Sequence, residues 1–271
     1  MYYLGLDVGS SSVKAALVEA KSGKSIQSVH EPNNEMSISS LKNDWAEQDP
    51  NVWWKYTCTA IKRVCKESNI DPKKIISIGI SYQMHGLVIV DKNGEPLRDS
   101  IIWCDSRAVN IGNDAYEKLG EDKCMSHLLN SPGNFTASKL KWVKENEPEV
   151  YEKIYKYMLP GDFIAYKLTG EINTTRNGLS EGIIWDYKNN EIANWLLDFY
   201  GINPNLTPDL VDNFTNQGAT NSKSSKETGL NIGIPITYRA GDQPNNALAL
   251  NVFDNGEVAA SGGTSGVIYS I

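Results

Sequence analysis

The sequence predicts a globular α/β protein, and three of its features carry that prediction. Two apolar runs flank a turn of glycine and serine near the start, which is typical of two strands joined by a tight loop. The β-branched run at 75–81 is suited to a buried strand. Between about 107 and 201 the pattern is mostly helical. The chain therefore combines strands and helices, and at 271 residues it is long enough to bury a sizeable core.

The opening turn, 9–12, contains one glycine and three serines. A loop of this kind can present backbone N–H groups and hydroxyls to one anion, as phosphate-binding nests do. Asp7 lies just before the turn, and a single carboxylate completed by water and phosphate oxygens suits Mg²⁺. The turn therefore predicts half of a phosphate site. A Gly/Ser hairpin turn with a solvated Asp7 explains the same residues.

The elements that follow alternate strands with one long helix. Asp49 followed by Pro50 is a typical helix start. The predicted elements are a strand at 26–29, a helix at 50–67, strands at 75–81 and 87–90, and a short apolar run at 101–103.

The second half of the chain is predicted mainly from helical patterns and polar loops. Predicted helices cover 137–145, 148–157, 162–168 and 192–200, whereas the pattern at 174–185 does not decide between helix and strand. A polar stretch at 203–228 predicts surface loops, before a strand at 234–238, a helix at 244–250 and a closing hairpin at 257–271.

Composition limits the class of partner. The net charge is −7 and the sequence contains no cluster of basic residues, which argues against nucleic acid as a main partner. No apolar stretch approaches the roughly 20 residues that span a bilayer, so no membrane partner is expected. The first residues lack the pattern of a signal peptide, and the four cysteines lack metal-ligand spacing. We therefore expect a cytoplasmic protein without disulfides.

The end of the chain repeats the pattern of its start. The segment 263–267 has the same glycine, hydroxyl and valine order as 9–13, again between two apolar runs. Two such turns suggest two related lobes that face one polyphosphate. Because an isolated two-stranded hairpin is marginal in water, we expect 1–250 to be an N-terminal lobe and 251–271 the truncated start of a second lobe.

Six separated motifs together resemble the FGGY family of carbohydrate kinases. They lie at 7–14, 81–86, 103–107, 135–143, 240–243 and 262–266. The resemblance covers essentially the whole chain. It implies an actin-like, ribonuclease-H-like ATPase lobe with a mixed five-stranded sheet flanked by helices, and it implies ATP and Mg²⁺ as cofactors.

Within this resemblance Asp242 is the catalytic base, because the alcohol proton must be accepted while the phosphoryl group arrives. An N-cap role for Asp242 is the plainer alternative. Asp7 is the predicted magnesium ligand. The predicted phosphate ligands of ATP are Ser10, Ser11, Ser12, Lys14, Gly263 and Thr264. For Lys14, simple solvation explains its position equally well.

The resemblance also implies a set of sugar-binding residues. They are Gln83, Met84, His85, Trp103, Asp105, Asp242 and Gln243. A structural histidine and a core tryptophan are the plainer interpretations of His85 and Trp103. Arg107 is placed to brace Asp105 by a salt bridge instead of leaving its carboxylate for the sugar.

The implied reaction is ATP-dependent phosphorylation of a ketopentose, with D-xylulose as the leading sugar. Met84 and His85 replace the Arg-Glu pair of glycerol kinases, whereas Asn134 departs from the family signature and Gln243 is closer to the glycerol-kinase form. Kinases of ribulose, sedoheptulose or glycerol are therefore alternatives, as is a non-catalytic sugar- or ATP-binding module. We expect little or no kinase activity from these residues alone, and the oligomeric state stays open, a homodimer included.

Overall fold

The computed structural model describes residues 1–262 and 266–271. In chain order its strands are β1 (Tyr2–Val8), β2 (Val13–Glu19), β3 (Ser25–Glu31), β4 (Glu47–Gln48), β5 (Ile75–Tyr82), β6 (Val88–Val90), β7 (Ser100–Ile101), β8 (Lys156–Met158), β9 (Asn173–Thr175), β10 (Trp185–Asp186), β11 (Glu191–Ile192), β12 (Asp209–Val211), β13 (Ile236–Gly241), β14 (Val258–Gly262) and β15 (Gly266–Ser270). The helices are α1 (Pro50–Ser68), α2 (Val109–Leu119), α3 (Glu121–His127), α4 (Thr136–Asn146), α5 (Pro148–Tyr151), α6 (Pro160–Thr169), α7 (Arg176–Glu181), α8 (Asn194–Tyr200), α9 (Ser222–Thr228) and α10 (Asp242–Ala249).

Five strands form the main sheet in the order β13-β5-β1-β2-β3. Tight connections make β1, β2 and β3 antiparallel neighbours, because a short turn can only reverse the chain. β5 and β13 follow longer connections and run parallel to β1. The sheet is therefore mixed and five-stranded, which confirms the predicted architecture.

Helices cover the sheet face to which alternate residues of each strand point. Leu4, Leu6 and Val8 of β1 are buried, as the period of two requires. Trp53 and Ile61 of α1 belong to the same core cluster, and α6 packs beside α1 against β5 and β13. This packing fixes the positions of the carboxyl ends of β1, β5 and β13.

A second core lies among the helices of the middle of the chain. Leu140, Trp185, Leu196 and Tyr200 are buried members of this cluster, which draws on α4, α8 and the β10 strand. The cluster includes Leu140 and Val143 of α4 and Ile101 of β7, and Lys139 of α4 donates a hydrogen bond to the carbonyl of Ile102.

Three predicted elements need correction or completion. The helix predicted at 148–157 is wrong beyond Tyr151, because 156–158 pairs with β6 as strand β8 and buries Tyr157. The polar stretch at 203–228 is not all loop: it includes α9, which begins where the Asn221 side chain accepts hydrogen bonds from the first turn. The undecided stretch at 174–185 contains β9, α7 and β10. Across the described residues, no helix has both the length and the apolarity to cross a bilayer.

Candidate active site

The carboxyl ends of three parallel strands meet at one edge of the sheet. Val8, Tyr82 and Gly241 are register partners across β1, β5 and β13, so the residues after them lie side by side. Ligands of α/β sheets bind at such edges. A cleft of about 410 Å³ opens here and is lined by Asp7, Gly9, Ser10, Ser11, Ser12, Lys14, Gln83, Met84, His85, Trp103, Asp242, Gln243 and Val267.

Most of the predicted site residues therefore line one cleft. Asp105 lies outside it, and the predictions for Gly263 and Thr264 fall outside the described residues. The cleft brings the two ends of the predicted site, the opening turn and Asp242, into one place although they are far apart in sequence.

The opening turn is held by hydrogen bonds to its main chain. Gly9 N–H donates to the Ser12 carbonyl at 3.0 Å, and a Cβ at Gly9 would lie 3.2 Å from that oxygen. The Ser10 carbonyl accepts from Gln48 Nε2 at 2.7 Å, and the Ser11 carbonyl accepts from Met36 N–H at 2.8 Å. These carbonyl oxygens are thus satisfied within the protein, which suits a turn that offers donors to an anion.

Asp7 and Lys14 are opposite each other on β1 and β2. Lys14 Nζ lies 3.0 Å from Asp7 Oδ2, and their side chains are 61% and 34% exposed, respectively. The described residues contain no cluster of three or more His, Cys, Asp or Glu side chains that would hold a metal by itself. Mg²⁺ needs only one or two carboxylates with water and substrate phosphates, so Asp7 fits that ion.

Asp242 is the first residue of α10, directly after β13. Partial burial raises the pKa of its carboxyl group, and the negative charge of Asp7 raises it further. Gly241, not Asp242, is the N-cap residue, and the helix start has no side-chain cap bond. A Cβ at Gly241 would lie 2.4 Å from Met84 Cγ, so glycine permits the close approach of β13 to Met84, one of the predicted sugar-binding residues.

The turn at 83–86, called here the sugar turn, continues the sheet. Gln83 N–H donates to the Val8 carbonyl at 2.9 Å, and the Gln83 side chain is buried. Among the described residues its Oε1 atom has no hydrogen-bond partner. Buried acceptors without partners are rare, so this oxygen is a candidate ligand contact.

His85 adopts a left-handed backbone conformation with φ of 60°. Its ring packs edge-on against Phe135, with centroids 4.6 Å apart, and its Nδ1 lies 2.8 Å from the Glu181 carbonyl. Because a carbonyl only accepts, Nδ1 carries the proton and Nε2 is left as an acceptor. Burial lowers the pKa of His85 to about 4, so the ring is neutral at pH 7.

Trp103 forms an outer wall of the cleft. Its side chain is 46% exposed, and its Nε1 donates to Ser10 Oγ at 3.3 Å. An exposed indole that contacts the opening turn is not a core residue, which argues against the plainer interpretation of Trp103.

Asp105 does not face the cleft. It is fully buried, it accepts from Ala46 N–H at 2.6 Å, and its Oδ2 lies 2.6 Å from Arg107 Nη2. The Arg107 guanidinium lies 3.8 Å from the Trp45 ring centroid and 4.8 Å from that of Trp142. The predicted placement of Asp105 at the sugar therefore needs correction: its carboxylate is occupied inside the wall, and Arg107 braces it as the alternative predicted.

Two buried charged residues near the cleft had no predicted role. Glu181 is buried beside Gly241, and burial raises the pKa of its carboxyl group well above the ordinary value. Lys139 of α4 is fully buried below the sugar turn. An acidic residue within the stretch Gly-Leu-Ser-Glu-Gly-Ile-Ile and a lysine between Ser138 and Leu140 are the sequence signals that could have drawn attention to them.

The fold places a glycine–serine turn and a polar pocket at one sheet edge, and the chain belongs to the FGGY family of carbohydrate kinases. The N-terminal domain of that family matches residues 2–249. The chain is also 31% identical to a xylulose kinase from Staphylococcus xylosus, over 100% of this chain and 55% of that relative.

Solved structures agree with this assignment. The xylulose kinase from Rhodospirillum rubrum matches with a TM-score of 0.91 at 25% identity, over 99% of this chain and 54% of that one. A gluconate kinase from Lactobacillus acidophilus matches with a TM-score of 0.89 at 26% identity, over 98% and 53%. The fold is thus the actin-like fold of this family. The chain spans about half the length of the curated relatives it matches.

Proposed function

We propose that this chain is the sugar-binding part of an ATP-dependent kinase that phosphorylates a ketopentose, with D-xylulose as the leading substrate. The observation that supports this most is the position of Asp242, which shares one cleft with the glycine–serine turn and with the sugar turn. Phosphoryl transfer needs these three parts: a base, a phosphate cradle and a site that orients the acceptor hydroxyl.

The sugar lies against the sugar turn in this proposal. Two acceptors, Gln83 Oε1 and His85 Nε2, accept hydrogen bonds from sugar hydroxyls in this proposal. Neither atom has a hydrogen-bond partner among the described residues. Met84 and Trp103 contact the carbon skeleton, and Gln243 beside Asp242 adds a further polar contact.

Asp242 acts as the general base. The sugar hydroxyl oxygen bonds to the γ-phosphorus, the bond from that phosphorus to ADP breaks, and the hydroxyl proton passes to the Asp242 carboxylate. A raised pKa strengthens this carboxylate as a base near neutral pH.

The charges of ATP are met from the other side of the cleft. Three serines, Ser10, Ser11 and Ser12, donate hydrogen bonds to the phosphates. Lys14, which is paired with Asp7, adds a positive charge to the same side of the cleft. Asp7 would hold Mg²⁺, whose positive charge lowers the cost of negative charge on the phosphates. Gly263 and Thr264 are proposed to complete the cradle.

The choice of D-xylulose is supported by the name of the Staphylococcus xylosus relative. The likeness to a gluconate kinase keeps other polyhydroxy substrates as the second candidate. We further propose that 1–250 forms the sugar-binding lobe and that 251–271 belongs to a second lobe. Because the relatives are about twice as long, the 271 residues alone are expected to turn over little sugar.

A sugar panel tests the proposal. In a kinase that carries this sequence as its N-terminal half, ADP release is measured with D-xylulose, D-ribulose, sedoheptulose, glycerol and gluconate. We expect the highest kcat/KM for D-xylulose. A higher value for another sugar would replace the substrate, and no turnover of any sugar would contradict the kinase proposal.

A further inference from the structure

Lys139 carries a buried side-chain amine that makes no ion pair within the described residues. The whole residue is 0% exposed. Its Nζ donates to the His85 carbonyl at 2.9 Å and to the Ile102 carbonyl at 2.9 Å. Burying a lysine without an ionic partner is costly. Its position, with hydrogen bonds to two main-chain oxygens, therefore calls for a reason beyond packing.

The two carbonyls belong to different walls of the cleft. His85 lies in the sugar turn, whereas Ile102 immediately precedes Trp103. One side chain on α4 therefore joins the two segments that flank the sugar pocket. Selective binding of a small polyol requires that the two walls be held within about 0.5 Å of their productive positions.

The sugar turn needs such support because its backbone is unfavourable. His85 has a φ of 60°, a region that residues with a Cβ rarely adopt. Three contacts hold it there: the Lys139 ammonium at its carbonyl, the Glu181 carbonyl at its ring nitrogen, and the Phe135 ring. Strain that is held by the surroundings is common at ligand sites.

The charges around Lys139 are consistent with a positioning role. Burial lowers the pKa of Lys139 to about 7, while the negative charge of Asp105 favours the charged form and Arg107 opposes it. A neutral amine still has two N–H groups, so both carbonyls keep a donor whichever form is present.

We infer that Lys139 is a positioning residue for the sugar: it fixes the sugar turn relative to the Trp103 wall and thereby sets the affinity for the ketopentose. This inference rests on the proposed function. Lys139 itself does not line the cleft, so its effect passes through His85 and Trp103.

Calorimetry with D-xylulose tests the inference on the chain as described. Lys139→Met keeps the length and apolar stem but removes all donors, so we expect the dissociation constant to rise about tenfold or more. Lys139→Gln is shorter and can serve only one carbonyl well, so a smaller rise is expected. Lys141→Met, on the same helix but paired with exposed Glu145, is the matched control and should bind as the wild type does.

Calorimetry also separates positioning from folding. A loss of folded protein lowers the number of sites per chain, whereas a misplaced turn raises the dissociation constant of the folded molecules. An unchanged dissociation constant for Lys139→Met would overturn the inference. If that variant fails to fold, wild-type affinity in Lys139→Gln would overturn it. Absence of sugar binding by the wild type would instead count against the proposed function itself.

Discussion

The two turns that line the cleft differ in exposure and in the residues that hold them. The opening turn is partly exposed and is held by one hydrogen bond within the turn and by bonds from Gln48 and Met36 to its carbonyls, and Lys14 beside it is 61% exposed. The sugar turn is largely buried and is held by side chains from other elements, Lys139 and Phe135 among them. Both turns follow strands of the same sheet.

This difference matches the ligands that each turn is proposed to bind. A neutral sugar offers only hydroxyls and carbons, so selectivity depends on acceptors held in fixed places. A polyphosphate is highly charged and brings its own counter-ion, so an open turn with donors and one carboxylate suffices. The comparison therefore predicts a rigid sugar side, formed by the sugar turn and the wall that carries Trp103. It also predicts an adaptable phosphate side, formed by the opening turn with Asp7 and Lys14.

The largest expected effect is on catalysis, where the two sides meet. In a kinase that carries this sequence as its N-terminal half, Asp242→Asn should lower kcat by about 10²–10⁴-fold, because no group accepts the hydroxyl proton. ADP release measures this loss, and calorimetry should show that D-xylulose still binds. Normal turnover by the variant would contradict the proposed base.

The next-largest effect is expected on stability, from the loss of the buried ion pairs of Arg107. Arg107→Ala should lower the free energy of unfolding by about 3–5 kcal/mol, because it leaves a fully buried carboxylate without its cationic partner. That carboxylate is Asp105, whereas Glu47 also contacts Arg107 but keeps its ion pair with Arg98. Urea unfolding measures the change. Lys118→Ala removes an exposed pair with Asp114 and should cost only about 0–1 kcal/mol. Equal losses in the two variants would show that burial does not distinguish the pairs.

The third effect concerns pH. The pKa of His85 is about 4 in the folded protein, below the ordinary value of 6.5. Between these values the unfolded chain binds more protons, so the free energy of unfolding falls as the pH is lowered from 6.5 to about 4, by at most about 1.4 kcal/mol per pH unit from this group. Above pH 6.5 its contribution is constant.

Urea unfolding at several pH values measures this dependence. His85→Gln should flatten the slope between pH 6.5 and about 4. His30→Gln, at an exposed position, should leave the slope as it is in the wild type. Equal slopes in the wild type and in His85→Gln would show that His85 is not held neutral.

The smallest effect is expected on the phosphate side. Lys14→Ala removes an exposed ion pair with Asp7, so the free energy of unfolding should change by about 0–1 kcal/mol. Thermal or urea unfolding at low and high salt measures it. A loss as large as that of Arg107→Ala would contradict the view that this side is loosely held.

Local sequence signals predict most of the sheet and the cleft. A tight Gly/Ser turn between apolar runs specifies the β1–β2 hairpin, and Asp49-Pro50 specifies the start of α1. The residues that follow β1, β5 and β13 meet because parallel strands end at the same edge. These inferences need only short stretches of chain.

Distant partners decide what the sequence does not predict. Asp105 does not line the cleft because it pairs with Arg107, which in turn contacts Trp45 and Trp142 from separate parts of the chain. The strand at 156–158 forms because β6 offers a free edge, although the local pattern favours helix. Lys139 reaches two carbonyls that only the folded chain brings together.

Calorimetric titration of the wild-type chain with D-xylulose, at pH 7 and without nucleotide, tests the central claim most directly. A sugar side that is already formed should bind one sugar per chain, and Gln83→Ala should weaken that binding by about tenfold, since it removes a buried acceptor. Binding that appears only when nucleotide is added, or that is equal in Gln83→Ala, would contradict the account.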